Sequence, residues 1–281
     1  MPRILAILRS GALLSAALAM IASSASAETL MEKIKAKGKV TVGTEAALPP
    51  FEFIQDGKIV GYGKDILDAI VADLGVQLEQ LDLPFQGILP GVLAGKFDFV
   101  ATSIGLRPER AGKYAFTMPI AFSVDMALKK AGNSKIMAVE DLRGKIVGTQ
   151  LASSGEADAK LFEAKLKSDG GKGYGELKLY TSYPETYLAL ANGEIDIAVA
   201  SDTLVRDIMK KRPGVYEVVG PVSARNYSCW VTRPEDKDFR DFLNVEFKKL
   251  RDNGTIYQLQ EKWFGYKMEL PDSDYLPPGA I

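Results

Sequence analysis

The stretch GKFDFVATS, Gly95 to Ser103, returns as GEIDIAVAS, Gly193 to Ser201, with Asp98 aligned to Asp196 and Ser103 to Ser201. Each copy runs from a glycine, through an acid held between two large apolar residues, to a small or apolar run and a serine. Helix-ending glycines followed by apolar strands are common in α/β chains, so the copies alone weigh coincidence and duplication evenly. The segments around them break the tie. Lys39 to Thr44 alternates with the period of a strand, and Phe51 to Tyr62 predicts a hairpin turning on Asp56-Gly57. Ile66, Leu67, Ile70, Val71 and Leu74 share one helical face that stops at Gly75. A strand over 76–83, a short helix through Ile88, Leu89, Val92 and Leu93, and the first copy follow. After Gly144 the scheme restarts: a strand over 145–149, a helix from Ser153, a strand over 177–180, a helix from Ser182, and the second copy. Strands separated by helices predict parallel sheets with right-handed crossovers, and the restart predicts two similar α/β domains. Ligands of open parallel sheets gather beyond the carboxyl ends of the strands, so Ser103 and Ser201 would face each other across an interdomain cleft.

The ends and the composition exclude other classes. Residues 1–27 carry Arg3 and Arg9, an uncharged small and apolar run from Gly11 to Ile21, and Ala25-Ser26-Ala27, which predicts a secretory signal peptide cleaved before Glu28. The run is too short for a membrane span, and no later segment is long and apolar enough, so the mature chain is expected free in solution. Lys and Arg number 35 against 36 Asp and Glu, interspersed, which excludes a nucleic-acid binder. There is no His and one Cys, Cys229, so a His-based triad, a zinc cage and an internal disulfide are all excluded. Cys229 beside Trp230 and Val231 reads as a buried structural thiol. The glycine-rich stretch from Gly170 lacks the Lys-Ser/Thr ending of a phosphate loop, and no calcium loop is present. No metal or cofactor is expected.

Two segments carry binding chemistry. Arg110 follows a glycine-containing turn after Ser103, and its guanidinium fork suits a carboxylate, although spacing alone favours a surface Arg that is paired with Glu109 or solvated. Ser153 and Glu156 have capping-box spacing at a helix start whose free N–H groups attract an anion, although capping alone explains the serines.

The stretches VTVGTEAALPPFEF from Val40, GKIVGYGKDILDAI from Gly57, PFQGILPGVLAGKFDFVATSIGLRPER from Pro84, DLRGKIVGTQ from Asp141, ANGEIDIAVASD from Ala191 and LRDNGTIYQLQEKWFG from Leu250 occur in one order. In that order the mature chain resembles, over nearly its whole length, the family 3 extracellular solute-binding proteins that deliver polar amino acids to ABC importers. The resemblance implies an α/β clamp of the type II periplasmic binding protein fold. Its first lobe would take residues 28–123 and 224–281 and its second 128–219, with hinges near 124–128 and 219–224. A C-terminal helix burying Phe239, Phe242, Leu243, Phe247 and Leu250 would return to the first lobe.

It also implies roles, position by position. Arg110 would anchor a ligand α-carboxylate, helped by the N–H of Gly105 and the helix start at Ser153 and Ser154. Phe85 would lie under the ligand side chain, Ser103 and Ile104 would form a wall that receives the ammonium, Gln150 would reach polar atoms, and Glu45 would meet the ammonium or a distal cation. Three positions depart from the pattern. Leu48 stands where an aromatic is usual, leaving Phe51 as a candidate replacement; Gly105 lacks a hydroxyl, which would widen the pocket floor. Ser201 stands where an ammonium-binding Asp is usual, with Asp202 one residue later. The expected function is capture of a polar amino acid or related carboxylate by a monomeric protein that serves an ABC permease. The alternatives are a cyclohexadienyl dehydratase-like enzyme using Glu45 or Asp202 as the acid, and a sensor that docks to a receptor.

Overall fold

The computed structural model describes residues 28–281, so the signal peptide expected over 1–27 lies outside the described residues. Two sheets organise the chain. The first is six-stranded, in the order Gln77–Asp82, Lys39–Thr44, Phe99–Gly105, Asn226–Thr232 and Ala115–Phe116, with Ala121–Ser123 also paired to Asn226–Thr232. The second is five-stranded, in the order Glu176–Tyr180, Ile146–Gln150, Ile197–Ser201, Asp125–Lys130 and Tyr216–Pro221. In each, the motif copy occupies the same place: third in the row, parallel to its neighbour Lys39–Thr44 in the first sheet and Ile146–Gln150 in the second.

Each sheet holds the parallel strands expected from strand and helix alternation and adds antiparallel ones beside the motif strand. Asn226–Thr232 runs antiparallel to Phe99–Gly105, and Asp125–Lys130 runs antiparallel to Ile197–Ser201. The reason is topological. Both antiparallel strands carry the chain in from the other lobe, so each enters at the carboxyl end of the motif strand and must run backwards beside it. Ser228 accordingly pairs with Gly105, and Asp125 with Ser201. The chain passes between the sheets at Val124, and again between Pro221 and Asn226.

The same three contacts lock the motif in both lobes. The Asp98 carboxylate accepts from Thr41 N–H at 2.7 Å, and the Asp196 carboxylate from Ile146 N–H at 2.9 Å. Phe97 packs over Gly43 and Ile195 over Gly148, closely enough that a Cβ at either glycine would be driven into the side chain. Thr44 Oγ1 donates to Ala101 O at 2.7 Å, and Thr149 Oγ1 to Val199 O at 2.8 Å. A buried, unpaired strand N–H would cost about 1–3 kcal/mol, which is why each motif places an acid there.

The helices follow their apolar faces. Tyr62–Leu74 buries Ile66, Leu67, Ile70 and Val71 and ends at Gly75 in the left-handed conformation, while Asp56 and Gly57 both take positive φ between the hairpin strands Glu52–Gln55 and Lys58–Val60. Helix Lys237–Asp252 buries Phe239, Leu243, Phe247 and Leu250 against the first sheet, with Phe242 half-buried, and the Phe239 and Trp230 rings flank Phe99. Cys229 is fully buried, and burial pushes its thiol up. Among the described residues no helix is long and apolar enough to cross a membrane, and no group of three or more metal-ligating side chains forms.

Candidate functional site

The carboxyl ends of Lys39–Thr44, Phe99–Gly105, Ile146–Gln150 and Ile197–Ser201 converge between the lobes on a small cavity of about 50 Å³. Of the residues expected at the site, Leu48, Phe51, Phe85, Ser103, Gly105, Gln150, Ser153, Ser154 and Ser201 line it. The space admits a few water molecules, whereas small-molecule sites run to hundreds of Å³, and the Gln150–Glu45, Arg107–Asp158 and Arg110–Ala152 contacts join the two lobes beside it.

Four expected residues lie off the cavity wall. Ile104 alternates away from Ser103 and Gly105 along the strand and is fully buried in the first-lobe core with Phe85 and Ile88. Arg110, on the short helix Pro108–Ala111, donates to Gly105 O at 3.1 Å and across the cleft to Ala152 O at 2.8 Å. It has no carboxylate partner: Glu109 pairs instead with Arg107 at 2.7 Å. Burial, with Arg107 beside it, lowers the Arg110 pKa. Glu45 is buried and accepts from Gln150 Nε2 of the other lobe, leaving its second oxygen without a partner. Burial raises its pKa to about 7, against the pull of the Gln150 hydrogen bond and with a smaller push from Asp82. Asp202 points to the crossing, where it accepts from Val124 N at 3.2 Å, with Arg206 3.9 Å away.

The departures acquire physical reasons. Ser201 is the N-cap of helix Asp202–Lys211, accepting from Leu204 N at 3.5 Å. The space at Gly105 is filled from across the cleft: a Cβ there would collide with Ser154 Oγ and sit 3.1 Å from Asn226 Nδ2, so the floor is not widened. Leu48 and Phe51 both reach the cavity, and Phe51 is held in place by Phe264 and Tyr62, at ring separations of 5.2 and 6.1 Å. Ser153 caps helix Ser154–Ser168 by accepting from Glu156 N, but the Glu156 carboxylate reaches Ala152 N at 2.6 Å, one residue beyond the expected box. Ala152 is thereby pinned at φ 62, a left-handed conformation unfavourable for alanine, with its N–H held by one lobe and its carbonyl by the other.

Sequence reasoning missed Ser123, Asp125, Asp158, Tyr183, Leu204, Ser223, Asn226, Tyr227 and Ser228, which complete the wall. Asp158 had a signal, standing one helical turn beyond Ser154 on the same face. So did Asp125, an acid in an otherwise apolar strand start. Asp158 binds Arg107 across the cleft at 2.8 Å. Asp125 is 5 % exposed, and its Oδ2 has no hydrogen-bond partner among the described residues. Burial, and next the negative charge of Asp158, push its pKa well up.

Residues 40–266 match the family described as "Bacterial extracellular solute-binding proteins, family 3". The L-cystine-binding protein TcyJ of Escherichia coli K12 is 30% identical over 240 residues, which is 85% of this chain and 87% of that protein. Among solved structures, an ancestral arginine-binding protein bound to arginine superposes with a TM-score of 0.74 at 31% identity, covering 81% of this chain and 99% of that one. The ancestral amino acid-binding protein AncCDT-1, a precursor of cyclohexadienyl dehydratase, gives 0.75 at 28% identity, covering 84% and 100%.

Proposed function

The chain belongs to the bacterial extracellular solute-binding proteins of family 3, and from that premise we propose that it captures a polar amino acid, or a carboxylate-bearing relative, in the cleft and delivers it in the periplasm to an ABC importer. The observation that carries this reading is the cavity itself. It is lined from both lobes, by apolar side chains and by hydroxyl and amide groups at the strand ends. Arg110 supplies the charge: among the described residues this buried cation is held by two neutral carbonyls, one from each lobe. A ligand carboxylate arriving in the open clamp would replace the Ala152 carbonyl with a charge-assisted pair. Closure would then restore the contacts across the cleft and present one shape to the permease, with the chain acting as a monomer.

The test is calorimetric titration of protein stripped of carried-over ligand by unfolding and refolding, against the common L-amino acids including L-cystine, L-arginine and L-glutamine. One-to-one binding of at least one is expected. Failure of all of them would overturn the reading. A buried acid with a pKa of about 7, Glu45, is the one feature that also suits a dehydratase. Incubation with prephenate and arogenate is expected to return both unchanged, as befits a binder rather than an enzyme.

A further inference from the structure

Buried acids need a counter-charge or a proton, and the two acids on the second-lobe wall differ in which they have. Asp158 has a cation, Arg107, at 2.8 Å. Asp125 has none: Arg107 is committed to Asp158 and Glu109, and one Asp125 oxygen is buried without any partner. The backbone explains why it points inward. Asp125 stands directly opposite Ser201 in an antiparallel pair, so the two side chains share a face of the sheet, and both line the cavity. Its own N–H is satisfied by Ser223 Oγ at 2.9 Å, so the strand is held in register whether or not the carboxylate finds a partner.

We propose that Asp125 receives the cationic nitrogen of the ligand at the second-lobe wall of the cavity. This rests on the reading of the cleft as an amino-acid site, and it places the ligand's positive end beside Ser201 and its carboxylate toward Arg110. The groups that bear on the titration of Asp125 are Asp158, Arg107, Asp202 and Tyr183. With burial and Asp158 both favouring the protonated form in the empty cleft, a bound cation favours the ionised form. Binding therefore releases a proton, and affinity rises with pH.

The experiment compares the stripped wild-type protein with Asp125→Asn and with the double variant Asp125→Ser/Ser201→Asp, which moves the carboxylate to the facing strand. L-arginine, L-cystine and L-glutamine are the probes, each titrated beside the same molecule lacking its α-ammonium. Expected for the best-binding amino acid is a loss of about ten- to a hundredfold in Asp125→Asn, with recovery of most of it in the double variant. The deaminated counterpart is expected to change less than about threefold, because it never engaged the acid. Repeating the wild-type titration at pH 6 in buffers of different ionisation enthalpy is expected to show proton release, a readout that needs no variant. Wild-type binding with unchanged affinity in Asp125→Asn, or without proton release, overturns the proposal and leaves the amino-acid reading standing. Absence of wild-type binding to every amino acid overturns both.

Discussion

In the first lobe the strand Lys39–Thr44 ends Val42-Gly43-Thr44-Glu45; in the second, Ile146–Gln150 ends Val147-Gly148-Thr149-Gln150. The glycines accept the motif's large apolar side chain, the threonines bond the motif strand, and the two final residues meet across the cleft. The scaffolds agree contact for contact, and the difference falls at the tip. One lobe presents an acid and the other the matching amide. A shared framework therefore sets where side chains arrive, while single substitutions at the strand ends set what chemistry arrives there. The lobes also differ in their cations. Arg107 and Arg110 both come from the first lobe and reach acceptors on the second, so the cationic pull across the cleft runs one way.

The largest effects are expected where the scaffolds agree. Phe97→Ala and Ile195→Ala remove the side chains that pack on Gly43 and Gly148, and each is expected to cost about 2–5 kcal/mol. Urea unfolding followed by tryptophan fluorescence checks this, since Trp230 and Trp263 both belong to the first lobe. Phe97→Ala is expected to shift the fluorescence midpoint directly. Ile195→Ala is expected to lower the circular dichroism midpoint more than the fluorescence midpoint. Identical shifts in both signals for both variants would mean that the lobes unfold as one unit.

The next effect probes the one-way pull. Arg110→Ala is expected to weaken binding of the best amino acid by about a hundredfold or more, roughly 3 kcal/mol, and to leave the melting temperature close to wild type. Retained affinity would remove Arg110 from the ligand's carboxylate and leave it as a tie between Gly105 and Ala152.

The acid and amide tips offer a subtler break. Glu45 titrates near 7 in the folded protein against its ordinary 4.5, so the folded state keeps a proton that the unfolded chain releases. Its stabilising contribution is full below the unfolded value and is lost as pH rises through the folded one. Glu45→Gln is expected to match wild type at pH 4 and to be more stable at pH 8, by about 2–3 kcal/mol. Gln150→Glu sets two carboxylates against each other and is expected to open the clamp above pH 7, read as a larger radius of gyration by small-angle scattering. A pH-independent stability difference would show that Glu45 is already ionised in the cleft.

Periodicity made the scaffold legible: the helical face from Ile66 to Leu74, the turn at Asp56-Gly57 and the doubled motif all follow from local spacing. The direction of the crossing strands was not legible, because Asp125–Lys130 and Asn226–Thr232 look like any short apolar strand until their partners are known. The same limit divides the site. Ser103, Gly105, Gln150 and Ser201 end strands whose polarity the alternation sets, and they line the cavity. Asp125 and Asn226 reach it through pairing between segments distant in sequence. Arg110, Glu45 and Asp202 were legible as chemistry but not as aim, since each spends its polar atoms on a partner outside its own segment. The Val-Gly-Thr repeat is a further signal of local spacing, because it sets Glu45 and Gln150 at equivalent positions just past the two threonines.

The smallest expected effect tests whether the duplicated acid is scaffold or site. Asp98 and Asp196 each accept from the neighbouring parallel strand, Lys39–Thr44 and Ile146–Gln150 respectively, and return their own N–H to it, at 2.8 Å in both cases. An amide in place of either carboxylate keeps one acceptor oxygen but loses the charge. Asp98→Asn and Asp196→Asn should therefore each lower stability by about 1 kcal/mol, and by similar amounts, because the partner N–H stays bonded through a weaker neutral pair. Neither acid lines the cavity, so ligand affinity should not change in either variant. The informative result is an inequality. If only Asp196→Asn reduced affinity, its loosening of Ile146–Gln150 would have reached Gln150 at the far end of that strand, and the second lobe would be the more pliable half of the clamp. Equal stability losses with unchanged titration curves would fix the motif as a sheet lock that the chain uses twice.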